Sequence, residues 1–114
     1  MNKFKITSDI IEIETNKSIG RGKAIGARAL FEGIVRNSNE GQEVIKLEYE
    51  CYESLAIKEG NLILDEATKQ YALNDAFCVH RIGSLEIGET AVIVITASKH
   101  RDEAFRACRY IIDE

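Results

Sequence analysis

A serine and three basic side chains directly follow a predicted buried strand. Residues 92–97 are Val, Ile, Val, Ile, Thr and Ala, an apolar and β-branched run that is typical of a buried strand. Residues 98–101 are Ser, Lys, His and Arg, and an amphipathic stretch that is typical of a helix begins at about Asp102. The first amides of a helix have no partners within it, and the helix dipole is positive at that end. This arrangement therefore predicts a site for an anion.

A second predicted strand also ends in a basic residue. Residues 31–37 have the sequence Phe-Glu-Gly-Ile-Val-Arg-Asn. Arg36 and Arg101 can each form forked hydrogen bonds to a phosphate or a carboxylate. His100 can donate, accept or carry a charge near neutral pH, and Phe31 could pack against a flat ring. We therefore predict one anion site from residues that are distant in the sequence, namely Phe31, Arg36, His100 and Arg101.

Each of these residues has a simpler interpretation when it is taken alone. Arg36 could be a solvated loop end, His100 a helix-start residue bonded to the backbone, and Phe31 a core residue. The net charge of the chain is −4, so a local group of basic side chains favours the anion site. The same net charge argues against nucleic acid as a partner, because proteins that bind it usually carry a broad basic face.

The three cysteines indicate neither a metal site nor a disulfide framework. Cys51, Cys78 and Cys108 form no CxxC pair and have no zinc spacing. We therefore expect reduced thiols, and no bound metal or cofactor. Cys78 and His80 share one face of a predicted strand, which is the smallest arrangement that a nucleophile and its base require. A buried thiol beside a hydrogen-bonded ring is the alternative.

Length and composition predict one soluble domain over residues 1–114. No apolar run approaches the roughly 20 residues that span a bilayer, so no membrane partner is expected. The first residues lack the apolar centre of a signal peptide, which predicts a cytoplasmic protein.

Hydrophobic periodicity predicts two long helices and several strands. The predicted helices cover residues 53–71 and the stretch from about Asp102 onward; the predicted strands cover residues 4–6, 27–35, 45–51, 76–82 and 90–97. We expect strands 27–35 and 45–51 to pair as antiparallel neighbours. The order strands, helix, strands, helix predicts an α+β fold, with a largely antiparallel sheet and two main helices packed on it.

Two further segments carry predictions. Residues 20–26 form a glycine-containing loop whose spacing does not match a dinucleotide fingerprint. The last helix is predicted to bury one apolar stripe, formed by Ala104, Phe105, Cys108, Ile111 and Ile112. That helix has no stop signal and finishes on two acids, so we expect that the chain was cut there or that its natural end lies further on.

Four motifs, in sequence order, resemble the catalytic (large) subunit of molybdopterin synthase. They lie at residues 26–37 (GARALFEGIVRN), 47–52 (LEYECY), 80–89 (HRIGSLEIGE) and 98–105 (SKHRDEAF). The resemblance covers most of the chain from Gly26 onward, and it implies the fold of that family.

The resemblance also implies an activity in molybdenum cofactor biosynthesis. Members of the family form homodimers and bind a small ubiquitin-like sulfur-carrier subunit at each end. The carrier's C-terminal Gly-Gly tail enters a pocket of the large subunit as a thiocarboxylate, and two sulfurs pass to cyclic pyranopterin monophosphate. By position, Phe31, Arg36, His100 and Arg101 match pocket residues of the family. This match implies catalytic roles for the last three residues and substrate binding for all four.

The sequence differs from the family pattern at its end. In the family, the last helix continues into a Lys and a Pro-aromatic-Trp-Lys tail with catalytic lysines, whereas these 114 residues stop at Glu114. Lys99 is the lysine nearest to the pocket motif, but the family gives it no such role. We therefore expect little synthase activity from residues 1–114. Two other functions stay open: a non-catalytic module that binds the carrier tail or an anion, and a structural dimerisation domain.

Overall fold

A computed structural model describes residues 3–12, 21–36, 38–39, 42–43, 46–49 and 53–114. Its strands are β1 (Lys3–Thr7), β2 (Ala27–Ile34), β3 (Ser38–Asn39), β4 (Gln42–Glu43), β5 (Lys46–Tyr49), β6 (Asp75–Arg81), β7 (Gly83–Glu86) and β8 (Thr90–Ser98). Its helices are α1 (Glu53–Tyr71) and α2 (Arg101–Asp113).

The main sheet has four strands in the order β1-β6-β8-β2. β8 pairs antiparallel with both β6 and β2, and β1 pairs parallel with β6. Two smaller sheets pair β3 with β4 and β5 with β7, both antiparallel. The α+β prediction is therefore confirmed, with one parallel pair in a sheet that is otherwise antiparallel.

The predicted pairing of strands 27–35 and 45–51 is wrong. β2 pairs with β8, from Ala27 opposite Ser98 to Ile34 opposite Thr90, and β5 pairs with β7. The apolar run of β8 is the physical reason. Ile93, Val94 and Ile95 are each at most 2% exposed, and the backbone N–H and C=O groups of so buried a strand must be paired along both edges, which β2 and β6 provide.

The two faces of the main sheet are buried in different ways. α1 contacts β1 and β6, and α2 contacts β8 and β2, so the helices cover one face side by side. On this face Ala29, Cys78 and Val94 pack with buried residues of both helices. The other face has its own core cluster, which consists of Ile11, Phe77, Val79, Ile93 and Ile95.

The apolar stripe of α2 differs from the prediction at two positions. Its buried residues are Ala104, Ala107, Cys108 and Ile111. Phe105 is 65% exposed and Ile112 is 41% exposed. Successive helical residues are rotated by about 100°, so burial of Ala104 against the sheet turns Phe105 away from it.

Candidate functional site

The basic turn, residues 98–101, connects β8 to α2. His100 is the N-cap residue of α2, with extended backbone angles (φ −126°, ψ 152°) and no capping hydrogen bond from its side chain. Ser98 is fully buried, and its hydroxyl donates to the carbonyl oxygen of His100 at 2.5 Å. This bond fixes the turn from its buried side, while the side chains of Lys99, His100 and Arg101 stay exposed.

The loop that leads into β2 packs against the basic turn. The backbone N–H of Gly26 donates to the Ser98 carbonyl oxygen at 3.0 Å. A Cβ added at Gly26 would overlap the carbonyl oxygen of Lys99, so this position requires glycine. An open cavity of about 520 Å³ is lined by Gly26 and residues 99–102. The sequence pattern alone does not join this loop to the basic turn; a glycine at the start of a strand is the one signal of the contact.

Further basic side chains lie beside this cavity. Gly26 also lines a smaller cavity of about 190 Å³, together with Arg21 and Arg28. The first turn of α2 carries two acids, Asp102 and Glu103, and the Asp102 carboxylate is 3.3 Å from Nε of Arg106. The local excess of positive charge and the helix N-terminus both favour an anion at this end of the sheet.

Arg36 lies at the opposite end of the same pair of strands. The residue before it, Val35, donates from its N–H to the Glu89 carbonyl oxygen at 3.0 Å, and its carbonyl oxygen accepts from the Gly88 N–H at 2.8 Å. Seven residues of ladder separate this end from the basic turn, a length of about 23 Å at the usual rise of a strand. Within one chain, the structure therefore does not bring Arg36 to His100 and Arg101.

Phe31 lines a third cavity, midway along β2. It is 37% exposed and pairs with Val94. The Phe31 cavity has a volume of about 380 Å³, lies between the sheet and both helices, and is largely apolar. Its polar lining residues among the described part of the chain are Glu59, His80 and Glu114. Neither Arg36 nor the basic turn contributes to it.

The thiols near this cavity are not poised for nucleophilic chemistry. Burial, reinforced by the neighbouring Cys108, raises the pKa of Cys78 to about 12. Burial likewise raises the pKa of Cys108 to about 11, although a backbone hydrogen bond with Phe31 opposes it. Since the thiolate is the reactive form, the buried-thiol interpretation of Cys78 and His80 is the better one. Cys51 lies outside the described residues.

Among the described residues, both metal-ligand clusters and membrane-length apolar helices are absent. Among them, no three His, Cys, Asp or Glu side chains gather where a metal ion could bind. No helix in the described ranges has the length and apolar character that a membrane crossing requires.

Comparison with known proteins decides the family. The family model described as MoaE protein matches residues 6–114. The chain belongs to the MoaE family. The molybdopterin synthase catalytic subunit of Pyrococcus abyssi is 43% identical over 118 residues, covering all of this chain and 80% of the relative. That of Thermoplasma volcanium is 46% identical over 88 residues, covering 77% of this chain and 64% of the relative.

Solved structures agree with this MoaE assignment. Molybdopterin synthase from Staphylococcus aureus has a TM-score of 0.91 and 34% identity, covering 99% of this chain and 82% of that one. A complex of subunits 1 and 2 of the molybdopterin-converting factor from Helicobacter pylori has a TM-score of 0.79 and 21% identity, covering 96% of this chain and 75% of that one. The resemblance that the four sequence motifs indicated is thus confirmed, and so is the fold.

Proposed function

We propose that this MoaE chain is the large subunit of a molybdopterin synthase. It takes sulfur from the thiocarboxylate of a small ubiquitin-like carrier and passes it to cyclic pyranopterin monophosphate in the cytoplasm. The relatives named as catalytic subunits support this role. The observation that carries it is the basic turn, with His100 and Arg101 exposed at the N-terminus of α2.

The chemistry of the two reactants matches this turn. The pterin carries a cyclic phosphate and the carrier tail carries a thiocarboxylate, so both are anions. Arg101 can hold phosphate oxygens through two parallel N–H donors, and His100 adds a donor or a charge. The free amides of the first turn of α2 point in the same direction. Binding and stabilisation of negative oxygens is therefore the role that we assign to this turn.

The Phe31 cavity suits the uncharged part of the carrier tail. A Gly-Gly backbone has no side chains, so it can lie along walls that are mainly apolar, whereas Glu59 and Glu114 in the lining would repel the thiocarboxylate, which we assign to the basic turn. The Helicobacter pylori neighbour is a complex of two subunits, which supports a second subunit for this chain as well.

A second copy of the chain would complete the site. Arg36 and the basic turn lie beyond opposite ends of a ladder about 23 Å long, a distance that two side chains cannot span. In a twofold homodimer, Arg36 of one protomer can meet the basic turn of its partner, and the symmetry creates two such sites. Leu30 and Ile34 of β2 are 36% and 55% exposed, and exposed apolar side chains of this kind are often covered at subunit interfaces.

Titration calorimetry with cyclic pyranopterin monophosphate tests the anion site. We expect Arg101→Ala to weaken binding by about tenfold, the size of a lost charge-assisted hydrogen bond. The loss should be greater at low salt than at high salt. Arg109→Ala is the matched control, because Arg109 is an arginine of α2 that is 86% exposed and lies near the other end of the helix. Equal affinities for wild type and Arg101→Ala would remove the assignment.

Mixing two variants tests whether the site is shared between protomers. Arg36→Ala and Arg101→Ala dimers should each bind poorly. After subunit exchange, half of the dimers are mixed and hold one intact site each, so about a quarter of the wild-type binding capacity should return. Recovery of no sites would contradict a site that is shared across the dimer.

A non-catalytic binding module is the second candidate function. No lysine is among the described residues that line the Phe31 cavity, and Lys99 lines the cavity at the basic turn; if Lys99 takes no part in sulfur transfer, the turn binds anions without turnover. Under this alternative, residues 1–114 with a thiocarboxylated carrier would bind the pterin phosphate but form little molybdopterin. Full turnover would exclude this alternative.

A further inference from the structure

The motif at residues 80–89 contains a partly buried ion pair that the proposed function does not use. Nη1 of Arg81 donates to Oε2 of Glu89 at 2.6 Å, and the Arg81 side chain is 7% exposed. Nη2 of Arg81 donates to the carbonyl oxygens of Ser8 and Ser84, each at 3.3 Å. The guanidinium thus joins the segment after β1, strand β7 and Glu89, the residue that precedes β8.

The carboxylate of Glu89 holds the turn between β7 and β8 closed. Its Oε1 accepts from the backbone N–H of Glu86 at 2.8 Å, while the Glu89 N–H donates to the Glu86 carbonyl oxygen at 3.1 Å. Gly88 has a φ of +91°, a left-handed conformation that favours glycine. Both carboxylate oxygens are therefore engaged, one by Arg81 and one by the turn.

This turn is also what fixes the residue before Arg36. The two backbone hydrogen bonds of Val35 go to Gly88 and Glu89, and Val35 packs in a small core with Leu85 and Ala91. The β2 ladder shifts register between Gly33 and Ile34, so these two bonds set the position of Val35 beyond the irregularity. Arg36, which is exposed, directly follows this anchored residue.

The energetics of the pair suggest a geometric purpose. Burying the Arg81 charge costs desolvation energy that its attraction to the partly exposed Glu89 often only offsets, so such a pair is poor support for stability as such. Arg81 also buries an Nε that has no hydrogen-bond partner among the described residues, which adds to the cost. The pair instead fixes the relative positions of the segments that it joins, because the planar Arg81 guanidinium donates to three acceptors that are themselves held in place.

We propose that Arg81 and Glu89 are positioning residues for Arg36. They act through the turn at Gly88–Glu89 and the Val35 backbone, and they hold the Arg36 side chain where it meets the anion. The inference rests on the proposed function, because it assigns these residues a role in the binding step of that same site.

A double-mutant cycle with titration calorimetry tests this role. Binding of cyclic pyranopterin monophosphate is measured at low salt for wild type, Glu89→Gln, Arg36→Ala and the double variant. We expect Glu89→Gln to weaken binding by about tenfold, as the loss of a group that orients a ligand-binding residue does. In the Arg36→Ala background the same change should have almost no effect, because the residue that it orients is gone.

The outcomes separate the two proposals. Equal weakening by Glu89→Gln in both backgrounds would show a general structural effect, and no weakening in either would show no role; both results overturn the positioning inference and leave the anion site standing. If Arg36→Ala itself binds normally, Arg36 is not part of the site; the positioning inference and the site shared between protomers then both fail, whereas the anion site at the basic turn is overturned only if Arg101→Ala binds like wild type.

Two further variants guard against misfolding. Arg81→Lys keeps the charge but cannot hold Glu89, Ser8 and Ser84 together, so it should show the same dependence on Arg36 if Glu89→Gln does not fold. Asp113→Asn removes an exposed carboxylate that pairs with Arg109 at 3.7 Å, and it should leave binding within twofold of wild type.

Discussion

The two ends of the β2–β8 ladder carry similar chemistry but are built differently. At the helix end, Gly26 and Ser98 support the basic turn through close backbone contact and a buried hydroxyl. At the turn end, Arg36 follows a backbone that Glu89 and Arg81 hold through a partly buried ion pair. Arg101 is thus positioned by uncharged contacts, whereas Arg36 is positioned through an ion pair. The two ends should therefore respond differently to packing changes and to pH.

The largest effect is expected from added volume at the helix end. Gly26→Ala would place a Cβ into the Lys99 carbonyl oxygen, so the loop or the basic turn must move. We expect a loss of about 2–3 kcal/mol in the free energy of unfolding, as overpacking usually costs. Urea denaturation measures it.

Gly22→Ala is the matched control for Gly26→Ala. An added Cβ at Gly22 would lie 3.6 Å from Cδ1 of Ile25, an ordinary contact, and should change stability by less than about 0.5 kcal/mol. If Gly26→Ala and Gly22→Ala were equally stable, the contact that we describe between Gly26 and the basic turn would be contradicted.

A pH-dependent effect is expected at the turn end. The backbone hydrogen bond from Glu86 and the contact with Arg81 lower the pKa of Glu89 below its ordinary value of 4.5. The unfolded chain therefore binds a proton at a higher pH than the folded chain does, and the stabilisation is complete above pH 4.5. It is lost as the pH falls through the pKa of the folded state.

The free energies of unfolding of wild type and of Glu89→Gln, measured from pH 7 to pH 3, give the contribution of the Glu89 charge to stability. The stability advantage of wild type should be constant near neutral pH and should shrink in acid. A difference that does not depend on pH would show that the charge of Glu89 contributes nothing at this end.

The smallest effect is expected from an exposed ion pair at the helix end. Arg106 and Asp102 form an i,i+4 pair in which both side chains are 69% exposed. Arg106→Ala should change stability by less than about 0.5 kcal/mol, because exposed pairs contribute little. It should slightly weaken phosphate binding, since the freed Asp102 carboxylate lies beside the cavity. Unchanged or tighter binding in calorimetry would mean that Asp102 does not oppose the anion.

Local patterns predicted much of this architecture. The bounds of α1 were predicted residue by residue, and those of β6 and β8 to within one residue. The basic turn was located at the start of α2, where the structure places it. These features depend on spacing along the chain: helical and strand periods repeat over a few residues, and a helix N-terminus exposes its amides whatever lies around it.

Only the tertiary structure decided the remaining points. It gave β2 the partner β8 instead of the strand that follows it in sequence, and it placed Arg36 and the basic turn at opposite ends of that pair. It turned Phe105 outward, and it joined Arg81 to Glu89 behind Arg36. The sequence by itself determined which segments become helices, strands and an anion-binding turn. Which of them meet depends on contacts between residues that are far apart in the chain, and no local period encodes those contacts.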